Sequence, residues 1–402
     1  MDWTTFRFCA VDLDGSPLGV VIAKAAFLVG EDRIPRPHPE PAVIREADVP
    51  WEGDDPAAVP LRAESDLAFR KDQADVVVLA TAHAPGGTAV PQFDVEVGIG
   101  RHRRVLRVFG ARQAVYRGPA NPSLKKPVED LPRFTDPEPV RKVPVTPWAA
   151  YGGTARFRVP GTDTVVEVPC PTNPFGRGYC IQNSPEGLDG LWLPQVEDPE
   201  RLLTPETLVQ EIGTPETVPW PALLGPYGRA WYPRAAFAGV PPYDAPRVRD
   251  LVRAQADSLD PEADAAAIAM LREYEPPLLA PEFFQCGAPG LVFPRLQGDE
   301  VFLLRNLTPD GYLVFNLPGV RPQVVVGEGT EAREVPVALD TLGFDTESMR
   351  LELTFRGRVV LESPEAGGAF LSRPWSVTTE GGRGSPEAEE ALREEDGRTR
   401  GI

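Results

Sequence analysis

Apolar residues fall in short runs separated by turn chemistry over most of this chain, a pattern that predicts strands and few helices. The clearest run is Asp75-Val76-Val77-Val78-Leu79-Ala80, a β-branched stretch of the kind that forms a central strand buried on both faces. A charged approach (Arg62, Glu64, Ser65, Asp66) leads into it, and Pro85-Gly86-Gly87, which cannot continue a strand, leads out. Phe6 to Phe8 and Leu18 to Val29 flank Asp12-Leu13-Asp14-Gly15-Ser16-Pro17, so a hairpin is expected at the amino end. Phe93 to Val97 and Val105 to Phe109, joined through Gly98 to Arg101, predict a second hairpin with one solvated face. Residues 31 to 60 are crowded with prolines and read as a long surface loop with one short strand at Val43-Ile44.

Between about 117 and 245 the pattern loses its period, and the informative pieces are aromatic residues set beside glycines. Thr204-Pro205-Glu206 starts one short helix through about Ile212. Residues 245 to 274 are the convincingly helical region: Asp260-Pro261-Glu262 carries a cap, a first-turn proline and an acidic first turn, and Pro276-Pro277 stops the helix. Strands are expected again at Glu300 to Leu304, Tyr312 to Phe315, Val324 to Val326, Glu334 to Leu339 and Met349 to Phe355, with Thr308-Pro309-Asp310-Gly311 as a turn. Ser376 to Ile402 has no packable face and is predicted to be disordered. The fold class is therefore mainly β. Two lobes of short antiparallel strands, 1–116 and 275–375, are joined by an irregular Pro/Gly-rich region, 117–244, and a helical segment, 245–274, and are followed by the tail, 376–402.

Composition supports this division, since 47 prolines and 37 glycines argue against a helical bundle. A formal charge of −18 repels phosphate backbones and anionic lipid, which leaves basic proteins as the better partners. The opening MDWTTFRF does not read as a secretory signal, and Leu18 to Val29 is too short and, with Lys24, too polar to span a bilayer. A soluble cytoplasmic protein is expected. Cys9, Cys170, Cys180 and Cys286 are too sparse for a disulfide scaffold; a loop-closing Cys170–Cys180 bridge is one reading and buried apolar thiols are the other.

The chain lacks a nucleophile elbow, a phosphate loop, a His-Glu-x-x-His pair and EF-hand spacing. No metal or cofactor is expected. Of the histidines, His38 and His102 sit in solvated turns, and His83 follows the central strand. With Glu64 and Asp66, His83 would make the acid and base constellation of a hydrolase acting on a carbohydrate or peptide. The competing reading has Arg62, Glu64 and Asp66 satisfying backbone donors and one another while His83 bonds within its turn. Arg229, Arg234 and Arg295 stand near aromatic or turn residues, as internal staples or as partner contacts.

PLRAESD (60–66), TAHAPGG (81–87), NPFGRGY (173–179), LPQVEDP (193–199), GPYGRAWYPR (225–234), NLTPDGYLVF (306–315) and LDTL (339–342) form an ordered set of motifs. As a set they resemble a bacterial family of type VI secretion effector adaptors, encoded beside spike proteins. The resemblance implies a non-enzymatic adaptor or chaperone that helps mount a toxic effector, often one bearing a PAAR-type tip, on the VgrG spike. It supplies no catalytic residues. The candidate partner-binding or structural residues are Arg62, Glu64, Asp66, His83, Tyr179, Trp231 and Arg234. Two departures stand out: WAAYGG (148–153) lacks the arginine that similar proteins carry there, and the helical region 245–274 is longer than the family leads one to expect. A permanent spike component remains a third reading.

Overall fold

A computed structural model describes residues 2–53, 59–117, 131–158, 162–181, 188–210, 221–227 and 284–381, with isolated positions 254, 257, 268, 269, 271 and 272. The chain is mainly β. Its largest sheet orders the strands Thr4–Val11, Pro17–Val29, Arg350–Val360, Val337–Asp345, Ala74–Leu79 and Val292–Phe293, with Pro35–Pro37 added beside Pro17–Val29. Neighbours are antiparallel except Val337–Asp345 against Ala74–Leu79, which run parallel. A second sheet orders Val196–Glu197, His102–Phe109, Gln92–Ile99, Val301–Arg305 and Tyr312–Asn316. Both sheets mix strands from the two ends of the sequence, so each β-rich stretch completes the other.

The two hairpins form as the alternation predicts, Thr4–Val11 with Pro17–Val29 and Gln92–Ile99 with His102–Phe109. Because strand side chains alternate between faces, the pairing register of the large sheet sorts its residues. Phe27, Leu351, Leu353, Phe355, Leu342, Phe344, Val76 and Val78 belong to one buried apolar cluster with Val95, Val97, Phe302 and Phe315 of the second sheet. Phe344 bridges the two, its ring 5.7 Å from Phe302 and 5.5 Å from Phe315, within the range of favourable aromatic pairs. The opposite face carries a different row: Lys24 pairs with Thr354, Thr354 with Thr341, and Thr341 with Asp75.

Several expectations are corrected. Val43-Ile44 forms no strand; in that stretch Pro35–Pro37 and Val49–Pro50 pair with Pro17–Val29 and Leu61–Ala63. The short helix covers only Pro205–Leu208 and gives way to the strand Val209–Gln210. Glu334 to Leu339 is two strands, Arg333–Val335 and Val337–Asp345, in different sheets, because Pro336 cannot donate to a ladder. The central run lies one place from the sheet edge, flanked only by the two-residue strand Val292–Phe293. Trp375–Gly381 is a strand paired with Val320–Val326, so the part of the tail from Ser376 to Gly381 is ordered. Its remainder and the expected helical region, apart from the isolated positions, lie outside the described residues.

Arg7 secures this last element. Its guanidinium lies 4.6 Å from the centre of the Trp375 ring and donates to Phe370, Leu371 and Arg373 carbonyls at the end of the helix Ala366–Ser372. Among the described residues no helix is long and apolar enough to cross a membrane. Truncation before Trp375 exposes Val324 and Val326 and is expected to lower unfolding free energy by about 2–3 kcal/mol, read by urea denaturation. An unchanged denaturation midpoint would count against this strand contributing to the fold.

Candidate functional site

The polar row of the large sheet does not face solvent. Described residues between Ala42 and Gln73 and between Phe284 and Gly287 lie over it, and side chains among them meet it in two ion clusters. The alternation of Arg62, Glu64 and Asp66 sends all three the same way, while Ser65 hydrogen-bonds back to the Arg45 and Glu46 carbonyls.

In the first cluster, Lys24 is 1% exposed and lies 2.9 Å from Asp66 Oδ2 and 3.2 Å from Glu352 Oε2. Asp66 Oδ2 also accepts the Arg45 backbone N–H at 2.7 Å. Arg45 donates to Glu352 Oε2 at 2.6 Å, and Arg350 Nε donates to Glu352 Oε1 at 3.0 Å. Burial alone would raise the Glu352 pKa, but Lys24 and Arg45 outweigh it and hold the carboxyl at about 2.

In the second cluster, Lys71 Nζ contacts Glu64, lies 2.7 Å from Asp75 Oδ2 and 3.2 Å from Thr341 Oγ1. Asp75 is wholly buried and additionally accepts from the Cys286 and Gly287 backbone N–H groups and from Gln285 Nε2 at 2.9–3.0 Å. Burial pushes the Lys71 ammonium down and the Asp75 carboxyl up, yet their attraction reverses both, so Lys71 lies above and Asp75 below its ordinary value. The Cys286 thiol donates to Glu64 Oε1 at 2.7 Å.

A β-bulge between Leu339 and Thr341 turns Asp340 to the same side, where it accepts from Arg356 Nε at 2.6 Å and from Thr341 Oγ1 at 2.9 Å. Burial pushes the Asp340 carboxyl up, against the pull of Arg356. Arg356 also donates to the Asp66 and Ala68 carbonyls, tying the bulge to the covering segment.

Glu64, Asp75 and Cys286 place one potential metal-ligating atom each within 4.8 Å of the others. The donor set is acceptable for a divalent cation, but the Lys71 ammonium already stands among these atoms, so the residues fit an internal cation better than a metal.

Beside the clusters the same face opens into a cleft of about 420 Å³. Arg62, Glu64 and Asp66 line it, together with Val77, Leu79 and Gly343 of the sheet. Arg62 reaches Asp345 at 3.5 Å, and its guanidinium lies 5.3 Å from the centre of the Trp51 ring, which meets Trp148 edge-on. Thus Asp66 satisfies a backbone donor, as one reading expected, and the ion pairs of Arg62, Glu64 and Asp66 reach Asp345, Lys71 and Lys24.

His83 does not line this cleft. It sits in the strand Thr81–His83 paired with Lys142–Pro144, and its backbone N–H donates to Asn306 O. Burial and the Lys142 charge both lower its pKa. The proposed triad of Glu64, Asp66 and His83 is therefore not assembled in one cleft. Tyr179 is buried in a separate small cluster, edge-on to Tyr151. Trp231, Arg234 and Arg229 lie outside the described residues, and Arg295 is exposed. The cysteines are free, so the bridge reading is not met; Cys170 and Cys180 are buried as the apolar-thiol reading expects, Cys286 is buried but sits in the Lys71 ion cluster, and Cys9 is exposed.

The motifs singled out in the sequence meet one another in space. PLRAESD and LDTL join through Lys71, which contacts both Glu64 and Thr341, and through Arg356, which links Asp340 to Asp66. Asn173 of NPFGRGY donates to the Pro147 and Tyr151 carbonyls around WAAYGG, and Ala150 bridges to Val196 of LPQVEDP. Lys24, Lys71, Asp75, Asp340, Glu352, Arg356 and Cys286 were missed as site residues. A charge inside an apolar strand was the available signal for Lys24 and Asp75.

Replacing Lys24 by Met leaves Asp66 and Glu352 short of their buried cation and is expected to cost about 3 kcal/mol or more in unfolding free energy, measured by urea denaturation. A loss under about 1 kcal/mol would show that Arg45 and Arg350 neutralise the cluster alone. The Glu352 pKa is depressed on folding from 4.5 to about 2. Its contribution, about 3 kcal/mol, is fully present above pH 4.5 and is lost as pH falls toward 2. Stability measured across that window is expected to fall less steeply in Glu352→Gln than in the parent; parallel curves would remove Glu352 from the acid transition.

No curated protein and no solved structure matches the chain. A family model does match, over residues 14–356, a span that contains both ion clusters, the cleft and all seven motifs. The chain belongs to the bacterial family described as "Uncharacterized protein conserved in bacteria (DUF2169)".

Proposed function

We propose that the protein is a non-enzymatic adaptor that binds a type VI secretion effector in the cytoplasm and helps load it onto the PAAR/VgrG spike. The motif resemblance supplies the system. The observation that supports a binding role over hydrolysis is the state of the best acid and base candidates: Asp66 is tied to Lys24, Glu64 to Lys71, and His83 is absent from their cleft. A general acid or base needs to reach a substrate proton, and these carboxylates are spent on buried lysines.

The charge distribution gives the binding role a physical form. In the two clusters Lys24, Lys71, Arg45, Arg350 and Arg356 face Glu64, Asp66, Asp75, Asp340 and Glu352, so opposite charges offset each other inside. The surplus behind the net −18 is carried elsewhere, where it steers a basic effector toward the protein. Tyr227 N–H donates to Cys286 O at 3.1 Å, which joins the two sides of the stretch 228–283. That stretch, where the sequence leads one to expect helix over 245–274, is proposed as the element specific to each partner.

The test is affinity purification of the tagged protein from its native cells, with mass spectrometry of what remains bound. Recovery of one effector with a PAAR or VgrG protein is expected, with an association rate that falls as salt rises. Glu64→Gln and Asp66→Asn variants that lose turnover on a carbohydrate or peptide while keeping their partners would favour the hydrolase instead. Release of the protein with the spike into the medium would make it a spike component.

A further inference from the structure

We infer that the cleft over the large sheet is a recognition site for a short peptide segment of the partner that brings an apolar side chain and a neighbouring carboxylate. This rests on the adaptor reading and names the chemistry of one of its contacts.

The floor of the cleft carries the first observation. Gly343 lies inside the nine-residue strand Val337–Asp345, between Glu352 on one neighbour and Val77 on the other. Glycine in a strand interior weakens it, and its usual reasons are a positive φ, a bulge or another group pressed close. None applies at Gly343. Its φ is not positive, its bulge lies at 340, and a Cβ built there would meet only Glu352 Cβ, at an ordinary 3.9 Å. The space above it is the cleft itself. Along the adjoining strand Val77 and Leu79 point to the same side and remain half-buried, an apolar floor with room for one more side chain. A volume of about 420 Å³ lies within the range of small ligand sites.

The lip carries the second observation. The other cationic side chains at the cleft, Arg45 and Arg350, reach a carboxylate oxygen within 3.0 Å. Arg62 is 43% exposed, and its one ionic contact among the described residues is Asp345 at 3.5 Å. Asp345 depends little on Arg62, because its other oxygen accepts from the Glu347 backbone N–H at 2.9 Å. A guanidinium has five donors in a planar fork suited to a carboxylate. Stacking beside Trp51 holds that fork at the lip, and arginine with tryptophan is the composition of binding hot spots. An apolar floor below an underused guanidinium matches a hydrophobic residue followed or preceded by Asp, Glu or a chain-terminal carboxylate.

The test uses a phage library of random twelve-residue peptides selected on the immobilised full chain, with Gly343→Leu as the counter-selection because leucine fills the floor without backbone strain. Enriched peptides are expected to share an apolar residue beside a carboxylate. A synthetic copy is expected to lose at least about tenfold in affinity in Arg62→Ala and in Gly343→Leu, and none in Arg321→Ala, whose arginine binds Gln297 at a separate site. Arg62→Ala, a lip substitution, keeps the test valid if Gly343→Leu fails to fold. No enrichment, a consensus without a carboxylate, or affinity indifferent to Arg62 would overturn the inference. Full displacement of the peptide by millimolar succinate would also overturn it, assigning the site to a free carboxylic acid. If the effector co-purifies undiminished with Arg62→Ala, the adaptor reading stands and the cleft inference falls. If acidic peptides bind through Arg62 but no effector is recovered, the reverse holds.

Discussion

The rest of the structure depends on the register in which Lys24, Thr354, Thr341 and Asp75 cross the large sheet as one row. A strand shifted by one residue exchanges its two faces. A slip of Pro17–Val29 would bring Lys24 into the Phe344 cluster and Phe27 against Glu64 and Asp66. Buried ion pairs contribute little net stability compared with apolar packing, since each charge loses its hydration. Their leverage lies in the penalty for any arrangement that separates them, and here both lysines would be stranded by a slip of either partner. The apolar face supplies the driving force, and the charged face restricts it to one register.

The covering segment is held by the same ions. Among the described residues of 42–73 the strands are Val49–Pro50 and Leu61–Ala63. Their position is set by Asp66 on Lys24, Lys71 on Asp75, and Arg356 on the Asp66 and Ala68 carbonyls. The bulge at Asp340 adds to this by aiming two consecutive side chains, Asp340 and Thr341, at Arg356 and Lys71. A segment with so little ladder pairing is not held by backbone hydrogen bonds alone, so side-chain ions take over the anchoring role.

The strands were legible where the cause was local. Alternation, the Asp12–Ser16 turn and the Gly100–Arg101 turn define both hairpins, and the β-branched run defines Ala74–Leu79. Pro336 was a local signal for the break between two strands and was passed over. Ser376–Gly381 was read as unstructured because its exposed residues resemble a tail; the strand Trp375–Gly381 is ordered by Val320–Val326 and Arg7, partners that no window around it contains. Of the site, Arg62, Glu64 and Asp66 were found because three alternating charges beside a buried strand are unusual. Their partners were not, since Lys24 and Asp345 are separated from them by tens to hundreds of residues. Lys24 had been weighed only as an obstacle to crossing a bilayer, and Asp75 as the first residue of an apolar run.

Packing and recognition are linked through position 343. The row Lys24–Thr354–Thr341–Asp75 is held at both ends by buried ions, while the next row, Ala26–Glu352–Gly343–Val77, is interrupted by a residue without a side chain. Filling that gap with an apolar side chain would bury more surface and, by area alone, stabilise the sheet by about 1–2 kcal/mol. The gap therefore has an energetic cost in the isolated protein. It sits where the covering segment turns from fully paired charges to the loosely held Arg62, and an incoming side chain would recover both the missing burial and the unused donors.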